Sequence, residues 1–247
     1  MLRTIYWYGY FAISLVFTLP ALRKAKKLVA SGDLEKAEAY INQITMKWAM
    51  AQVKNGGAKV NVEGLENIPK DQPVVFVSNH QGNFDIALFM SFIEKPKGYV
   101  AKIETTKIPI LRDWMKLIHC VFMDRSTLKG AASAIVEGVK IIKEGHSLVI
   151  YPEGTRSKGG PLGEFKAGSF KLATKPKVPI VPVTLDGTYK LMEAQGGKVK
   201  PATVNMYIHP PIETANLTKE EQLELPERVK AIIASKLPNN GQGELNL

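Results

Sequence analysis

From Gly57 onward, short apolar runs rich in β-branched residues alternate with longer segments of helical period, and few folds accept that order. The spans 59–62, 74–78, 98–101, 147–151, 180–184 and 203–208 read as strands. The spans 86–93, 108–118, 128–144, 167–174 and 219–237 read as helices. Ser126 or Thr127 can cap the helix at 128, and Gly145 sits where a left-handed residue closes it. Pro226 is expected to kink the last helix or to open a new first turn. Strands that are apolar throughout are buried on both faces. The pattern therefore predicts an α/β fold, with a mixed, largely parallel sheet flanked by helices.

The chain before Gly57 is different. Thr4 to Leu22 carries no charged residue and, as one helix, would be roughly 28 Å long, close to the hydrocarbon thickness of a bilayer. Tyr6, Trp7, Tyr8 and Tyr10 are residues of the membrane interface. Arg23, Lys24, Lys26 and Lys27 follow the apolar run, whereas a cleaved leader carries its charge ahead of it. Ser31-Gly32-Asp33 breaks the helix, and Asp33 can cap a second one. That helix has Leu34, Ala37, Ile41, Ile44 and Trp48 on one stripe and ends at Asn55-Gly56-Gly57. Residues 1–55 are expected to form a two-helix membrane-anchoring hairpin, and 56–247 the α/β domain. If the first helix spans the membrane, the basic cluster places the rest of the chain on its cytoplasmic face; the alternative is a hairpin dipped into one leaflet, towards which Pro20 and the amphipathic partner tilt the reading. The segment from Pro238 reads as a loose tail.

A net charge of +10 favours phosphate-bearing partners. No nucleic-acid motif accompanies it, and the apolar start argues against a nucleic-acid partner. The single cysteine, Cys120, can form no internal disulfide; its apolar surroundings indicate packing. His119, His146 and His209 lack ligand spacing and read as structural or surface residues. Arg112, Trp114 and Lys116 form either a helix surface or a membrane-facing lip.

In a largely parallel sheet, ligands sit beyond the carboxyl ends of the strands. Two polar clusters fall there. Asn79-His80-Gln81-Gly82-Asn83-Phe84-Asp85 follows the strand at 74–78. Pro152-Glu153-Gly154-Thr155-Arg156-Ser157 follows the one at 147–151. Imidazole accepts protons near neutral pH, and a carboxylate on its other nitrogen fixes the tautomer. On a regular helix His80 and Asp85 would point about 140° apart, so they meet only across a turn, which Gly82-Asn83 permits. The alternative is a helix start capped by Asp85, with His80 a loop residue. In the second cluster, Arg156 suits phosphate oxygens and Gly154 lets backbone N–H groups approach an anion. Glu153 suits a substrate hydroxyl, or pairs with Arg156 in a simple polar turn. No G-x-S-x-G elbow, phosphate loop or G-x-G-x-x-G is present.

Four blocks now stand in order: Asn79-His80 through Asp85, Val121-Phe122-Met123-Asp124-Arg125, Pro152 through Ser157, and Val178-Pro179-Ile180-Val181-Pro182-Val183. In these, and in Phe165-Lys166-Ala167-Gly168, the chain resembles the glycerophospholipid acyltransferase family, especially bacterial 1-acyl-glycerol-3-phosphate acyltransferases. The likeness spans roughly residues 60–185 and says least about the N-terminus. It implies transfer of a fatty acyl group from acyl carrier protein or coenzyme A to the 2-hydroxyl of lysophosphatidate, giving phosphatidate. His80 would be the base and Asp85 its partner. Arg125 and Arg156 would hold the acceptor phosphate, with Lys102 as a further candidate, and Glu153, Gly154 and Thr155 would surround the glycerol. The acyl thioester is a co-substrate; no cofactor or metal is called for. Three rivals stay open: another acceptor such as glycerol 3-phosphate or another lysophospholipid, a thioester hydrolase, and a non-enzymatic basic protein that binds membrane lipids.

Overall fold

The structure is a computed structural model that describes residues 1–243. Its helices are α1 (Leu2–Phe17), α2 (Leu19–Ala30), α3 (Leu34–Gly56), α4 (Phe84–Phe92), α5 (Pro109–Leu117), α6 (Leu128–Lys143), α7 (Lys171–Thr174) and α8 (Lys219–Ala234). Its strands are β1 (Ala58–Glu63), β2 (Val75–Ser78), β3 (Lys97–Lys102), β4 (Val121–Met123), β5 (Ser147–Ile150), β6 (Ile180–Asp186) and β7 (Ala202–Ile208). These form one sheet in the order β1-β7-β6-β2-β5-β3-β4, parallel throughout except where β7 runs antiparallel to β6.

The central strands alternate between two cores. Val74 and Phe76 pack with Val53 of α3 and with Phe84, Leu88 and Phe89 of α4. Val75 and Val77 pack on the other face with Ala134 and Ile142 of α6, Leu172 of α7, and Leu225, Val229 and Ile233 of α8. Each of these side chains larger than alanine contributes about 1.5–3 kcal/mol on burial. Sheet and helices thereby hold the carboxyl ends of β2 and β5 side by side, in the register Val77 opposite Ile150.

Local signals act as read. Thr127 caps α6 by accepting the Gly130 N–H, and Gly145 takes the left-handed conformation after it. Asp33 caps α3 through the Lys36 N–H, and Gly57 closes it at φ 83°. Other expectations change. β4 was not among the expected strands, because three residues at a sheet edge carry too little pattern to detect. α8 continues through Pro226 and ends at Ala234. The segment at 167–174 begins as a 3-10 turn before α7. Pro238–Gly241 is no loose tail: it forms a 3-10 turn whose Gly241 carbonyl accepts the Leu162 N–H at 2.7 Å. The rest of that expected tail, 244–247, lies outside the described residues.

The expected first helix is two. It breaks at Thr18, whose hydroxyl bonds back to the Leu15 carbonyl at 2.6 Å, and Pro20 lies at the start of α2. The two helices bend by 41°; among the described residues, no single helix is long and apolar enough to cross a membrane, though the bent pair passes that test together. The N-terminal segment therefore holds three helices rather than a two-helix hairpin. They also pack on the domain. Trp7 is buried against Phe84, and its indole N–H donates to the Gln52 carbonyl. Trp114 of α5 is buried against Thr18 of the break, so the Arg112-Trp114-Lys116 set is not a uniform lip. Leu2, Ile5, Tyr6, Ile13, Val16 and Phe17 stay exposed along α1.

Lys97, at the start of β3, is buried, and its ammonium donates to the Ile93 and Lys95 carbonyls. Burial pushes its pKa down from 10.5 to about 7. Below about pH 7 both folded and unfolded chains carry this proton, and the burial penalty is constant. Between pH 7 and 10.5 the unfolded chain alone holds it, so stability rises with pH, by about 1.4 kcal/mol per pH unit at most. Urea unfolding of Lys97→Met between pH 7.5 and 9.5 should lack this slope. A slope equal to that of the wild type would show that Lys97 is not the group responsible.

Candidate active site

His80 and Asp85 meet. β2 ends at Ser78, a loop carries His80 to Asn83, and α4 starts at Phe84, so the pair spans a turn rather than a helix. His80 Nδ1 lies 2.6 Å from Asp85 Oδ2. The same oxygen accepts the Gln81 N–H at 2.7 Å and the Gly82 N–H at 2.9 Å. Asp85 is fully buried in the first turn of α4, where the helix's free N–H groups favour an anion. An ionised carboxylate only accepts, so Nδ1 carries the hydrogen and Nε2 presents a lone pair. Among the described residues Nε2 has no partner. Tyr151 stacks on the imidazole with ring centroids 4.2 Å apart.

The loop is clamped on both sides. Asn79 bonds through its side chain to the carbonyl and the N–H of Leu185, extending the β2–β6 pairing by one residue. Gln81 Oε1 accepts from Thr188. From the β5 side, the Ser157 and Lys158 N–H groups donate to the carbonyls of His80 and Gln81. Glu153 completes that clamp: its two oxygens accept the His80 N–H at 2.7 Å and the Gly163 N–H at 3.0 Å. Burial pushes the Glu153 carboxyl above its usual range, and these two donors oppose the shift. Glu153 does not pair with Arg156, and its oxygens are already used by the backbone.

Arg156 instead donates to Asn83 Oδ1 at 2.5 Å and lies 3.2 Å from Glu193 Oε1. Arg125 donates to the Gly154 carbonyl at 2.5 Å, which ties the loop after β4 to the loop after β5. Partial burial lowers the Arg125 pKa, and nearby Glu104 opposes this. Gly154 has φ 69° and faces the Lys166 ammonium; Thr155 is exposed. Lys102, at the end of β3, is exposed and bonds Glu104 at 3.0 Å, with no bond to the cluster among the described residues. The structure thus joins His80, Asp85, Glu153, Gly154, Arg125 and Arg156 in one network and leaves Lys102 at its margin. Tyr151, Asn83 and Glu193 are additions. Tyr151 could have been found as the residue before Pro152-Glu153, whereas no sequence signal ties Glu193 to a loop more than a hundred positions earlier.

Cys120 is buried as read, and burial pushes its thiol up to about 12, far from a reactive thiolate. His119 and His146 stack with centroids 3.6 Å apart, beside Glu38 of α3. Among the described residues no group of three His, Cys, Asp or Glu side chains is placed to hold a metal. A cavity of about 390 Å³ lies away from the dyad, between α3 and the start of β3, lined by Ile41, Met90, Tyr99 and Ile118.

Residues 59–186 match the acyltransferase family model, and every block around the dyad falls within that span. The 1-acyl-sn-glycerol-3-phosphate acyltransferase of Borreliella burgdorferi is 33% identical over 73% of this chain and 72% of its own. The chloroplastic enzyme of that name from Arabidopsis thaliana is 39% identical over 62% of this chain, which spans only 44% of that protein. The crystal structure of the 1-acyl-sn-glycerophosphate (LPA) acyltransferase PlsC from Thermotoga maritima superposes with a TM-score of 0.82 at 30% identity, covering 94% of this chain and 92% of that one. The same sheet, and a match over the segment that carries the His80–Asp85 turn, place this chain in the acyltransferase family.

Proposed function

We propose that the protein transfers a fatty acyl group from acyl carrier protein or coenzyme A to the 2-hydroxyl of 1-acyl-glycerol 3-phosphate, forming phosphatidate for phospholipid synthesis. The relatives named above carry acyl transfer to 1-acyl-glycerol 3-phosphate in their names, and the observation that supports the chemistry is the buried Asp85 carboxylate 2.6 Å from His80 Nδ1. His80 Nε2 takes the proton of the 2-hydroxyl. The oxygen forms a bond to the thioester carbonyl carbon, giving a tetrahedral oxyanion. Collapse breaks the C–S bond, and the departing thiolate takes the proton back from the imidazolium. Asp85 stabilises the imidazolium between these steps. The nucleophile belongs to the substrate, so no acyl-enzyme forms and kinetics are sequential rather than ping-pong.

Arg156 and Arg125 hold the acceptor phosphate, Lys102 adds charge at the rim, and Gly154 and Thr155 border the glycerol. Glu153, whose oxygens are taken by backbone N–H groups, acts by setting the His80 loop. Residues 1–55 serve as the anchor to the cytoplasmic face of the membrane, and 56–247 as the acyltransferase domain. The exposed apolar face of α1, its bend into α2, and Arg23, Lys24, Lys26 and Lys27 support shallow entry into one leaflet of anionic lipid.

The deciding experiment is transfer from radiolabelled acyl-carrier-protein and acyl-coenzyme A to lysophosphatidate in detergent micelles, alongside glycerol 3-phosphate and other lysophospholipids. Phosphatidate as the main product supports the assignment; release of free fatty acid at a similar rate without acceptor would favour a hydrolase. Arg156→Ala should raise the acceptor KM about 10–100-fold, the loss of a hydrogen bond to a charged group, with kcat much less affected. An unchanged KM would remove Arg156 from the phosphate site.

A further inference from the structure

A long arginine side chain loses rotamer freedom whenever it is held in one place, so an effective phosphate-binding arginine needs a second group to fix it. Glu193 is in that position. It lies on the 3-10 turn Glu193–Gln195, after β6, and its side chain is only 6% exposed. Oε1 accepts the Asn83 N–H at 2.8 Å and receives Arg156 Nη1 at 3.2 Å. The same Nη1 donates to Asn83 Oδ1, which closes a triangle of carboxylate, amide and guanidinium. Gly82 passes so close that a Cβ there would stand 2.4 Å from Glu193 Oε2. A side chain at position 82 would therefore push the carboxylate off the turn. Among the described residues, the remaining guanidinium nitrogens of Arg156 have no partner, and its side chain is 37% exposed.

We propose that Glu193 is a positioning residue for the acceptor. It holds Arg156 by one nitrogen and takes the Asn83 N–H, directly after the Gln81 and Gly82 N–H groups that hold Asp85. The free donors of Arg156 then meet the acceptor's phosphate at a set distance from His80. Glu193 Oε1 is paired with Asn83 and Arg156, while Oε2 is buried against Gly82 with no hydrogen-bond partner among the described residues; a guanidinium has donors enough to serve a protein carboxylate on one edge and a phosphate on another. The proposal rests on the reading that Arg156 binds that phosphate.

The test is steady-state kinetics of the full chain in detergent micelles, with lysophosphatidate and acyl-coenzyme A varied separately, for E193A, E193Q, R156A and the E193A/R156A double variant. E193A is expected to raise the lysophosphatidate KM about tenfold while the acyl-coenzyme A KM stays within about twofold. E193Q keeps an oxygen for Asn83 and Arg156 and should return to within about threefold of the wild type. In the R156A background, E193A should add less than about twofold, because residues that act through one another are not additive. If E193A lowers the melting temperature so far that the protein is not folded, E193D, with the same charge on a shorter arm, takes its place with the same expectations. A full E193A effect on top of R156A, or equal changes in both KM values, overturns the proposal. If R156A raises the acceptor KM and E193A does not, the role of Glu193 alone is wrong. If R156A leaves the acceptor KM unchanged, the phosphate reading of Arg156 fails, and Glu193 falls with it.

Discussion

Replacing His80 by alanine is expected to lower kcat about 10²–10⁴-fold, the usual contribution of a general base, while the KM for lysophosphatidate moves little. The expectation follows from how little of His80 holds the fold. Among the described residues its side chain makes one hydrogen bond, to Asp85, and one ring contact, to Tyr151. The loop itself is held by its backbone, through Glu153 to the His80 N–H and through the Ser157 N–H to the His80 carbonyl. Alanine keeps both backbone bonds. The check is acyl transfer by wild type and variant at saturating donor, with a thermal melt to show that both are folded. Retention of more than about a tenth of the wild-type kcat would mean that another group takes the proton.

Asp85→Asn is the second large effect. Asparagine fits the same space and still offers one oxygen to the Gln81 and Gly82 N–H groups, so the turn should persist. It carries no charge to stabilise the imidazolium, and if its NH₂ faces those donors the imidazole is driven to the wrong tautomer. A fall in kcat of about 10²–10⁴-fold is expected, comparable to loss of the base, because the pair acts as a unit. The double variant His80→Ala/Asp85→Asn should be no slower than His80→Ala alone. Measured kcat values that multiply instead would show that Asp85 works independently of His80, through the turn alone.

Much of the fold was readable because its signals are local. The β2, β5 and β6 runs announce themselves as unbroken apolar segments, since both faces of a central strand are covered. Thr127, Asp33, Gly57 and Gly145 mark helix ends by chemistry that acts within a few residues. β4 was missed because three edge residues carry no period. The N-terminal run was read too long because hydropathy does not register one hydroxyl: Thr18 bonds back to Leu15 and receives the Trp114 indole, and the helix breaks there.

At the site, residue types and spacing singled out His80, Asp85, Arg156 and Glu153 as candidates, with a capped helix start and a simple polar turn left open; resemblance to a family added Arg125. What those residues touch was settled only by tertiary structure. Glu153 could bind substrate or Arg156 on sequence grounds, yet the β2–β5 adjacency gives its oxygens to His80 and Gly163 N–H groups. Arg156 finds Glu193 because β6 lies beside β2 and returns the chain to the same corner. The sequence by itself determined which chemistry was available and in which strand-end loops it lies. The sheet order decided who pairs with whom. Hydrogen bonds reach about 3 Å, and only folding brings residues so far apart in the chain that close.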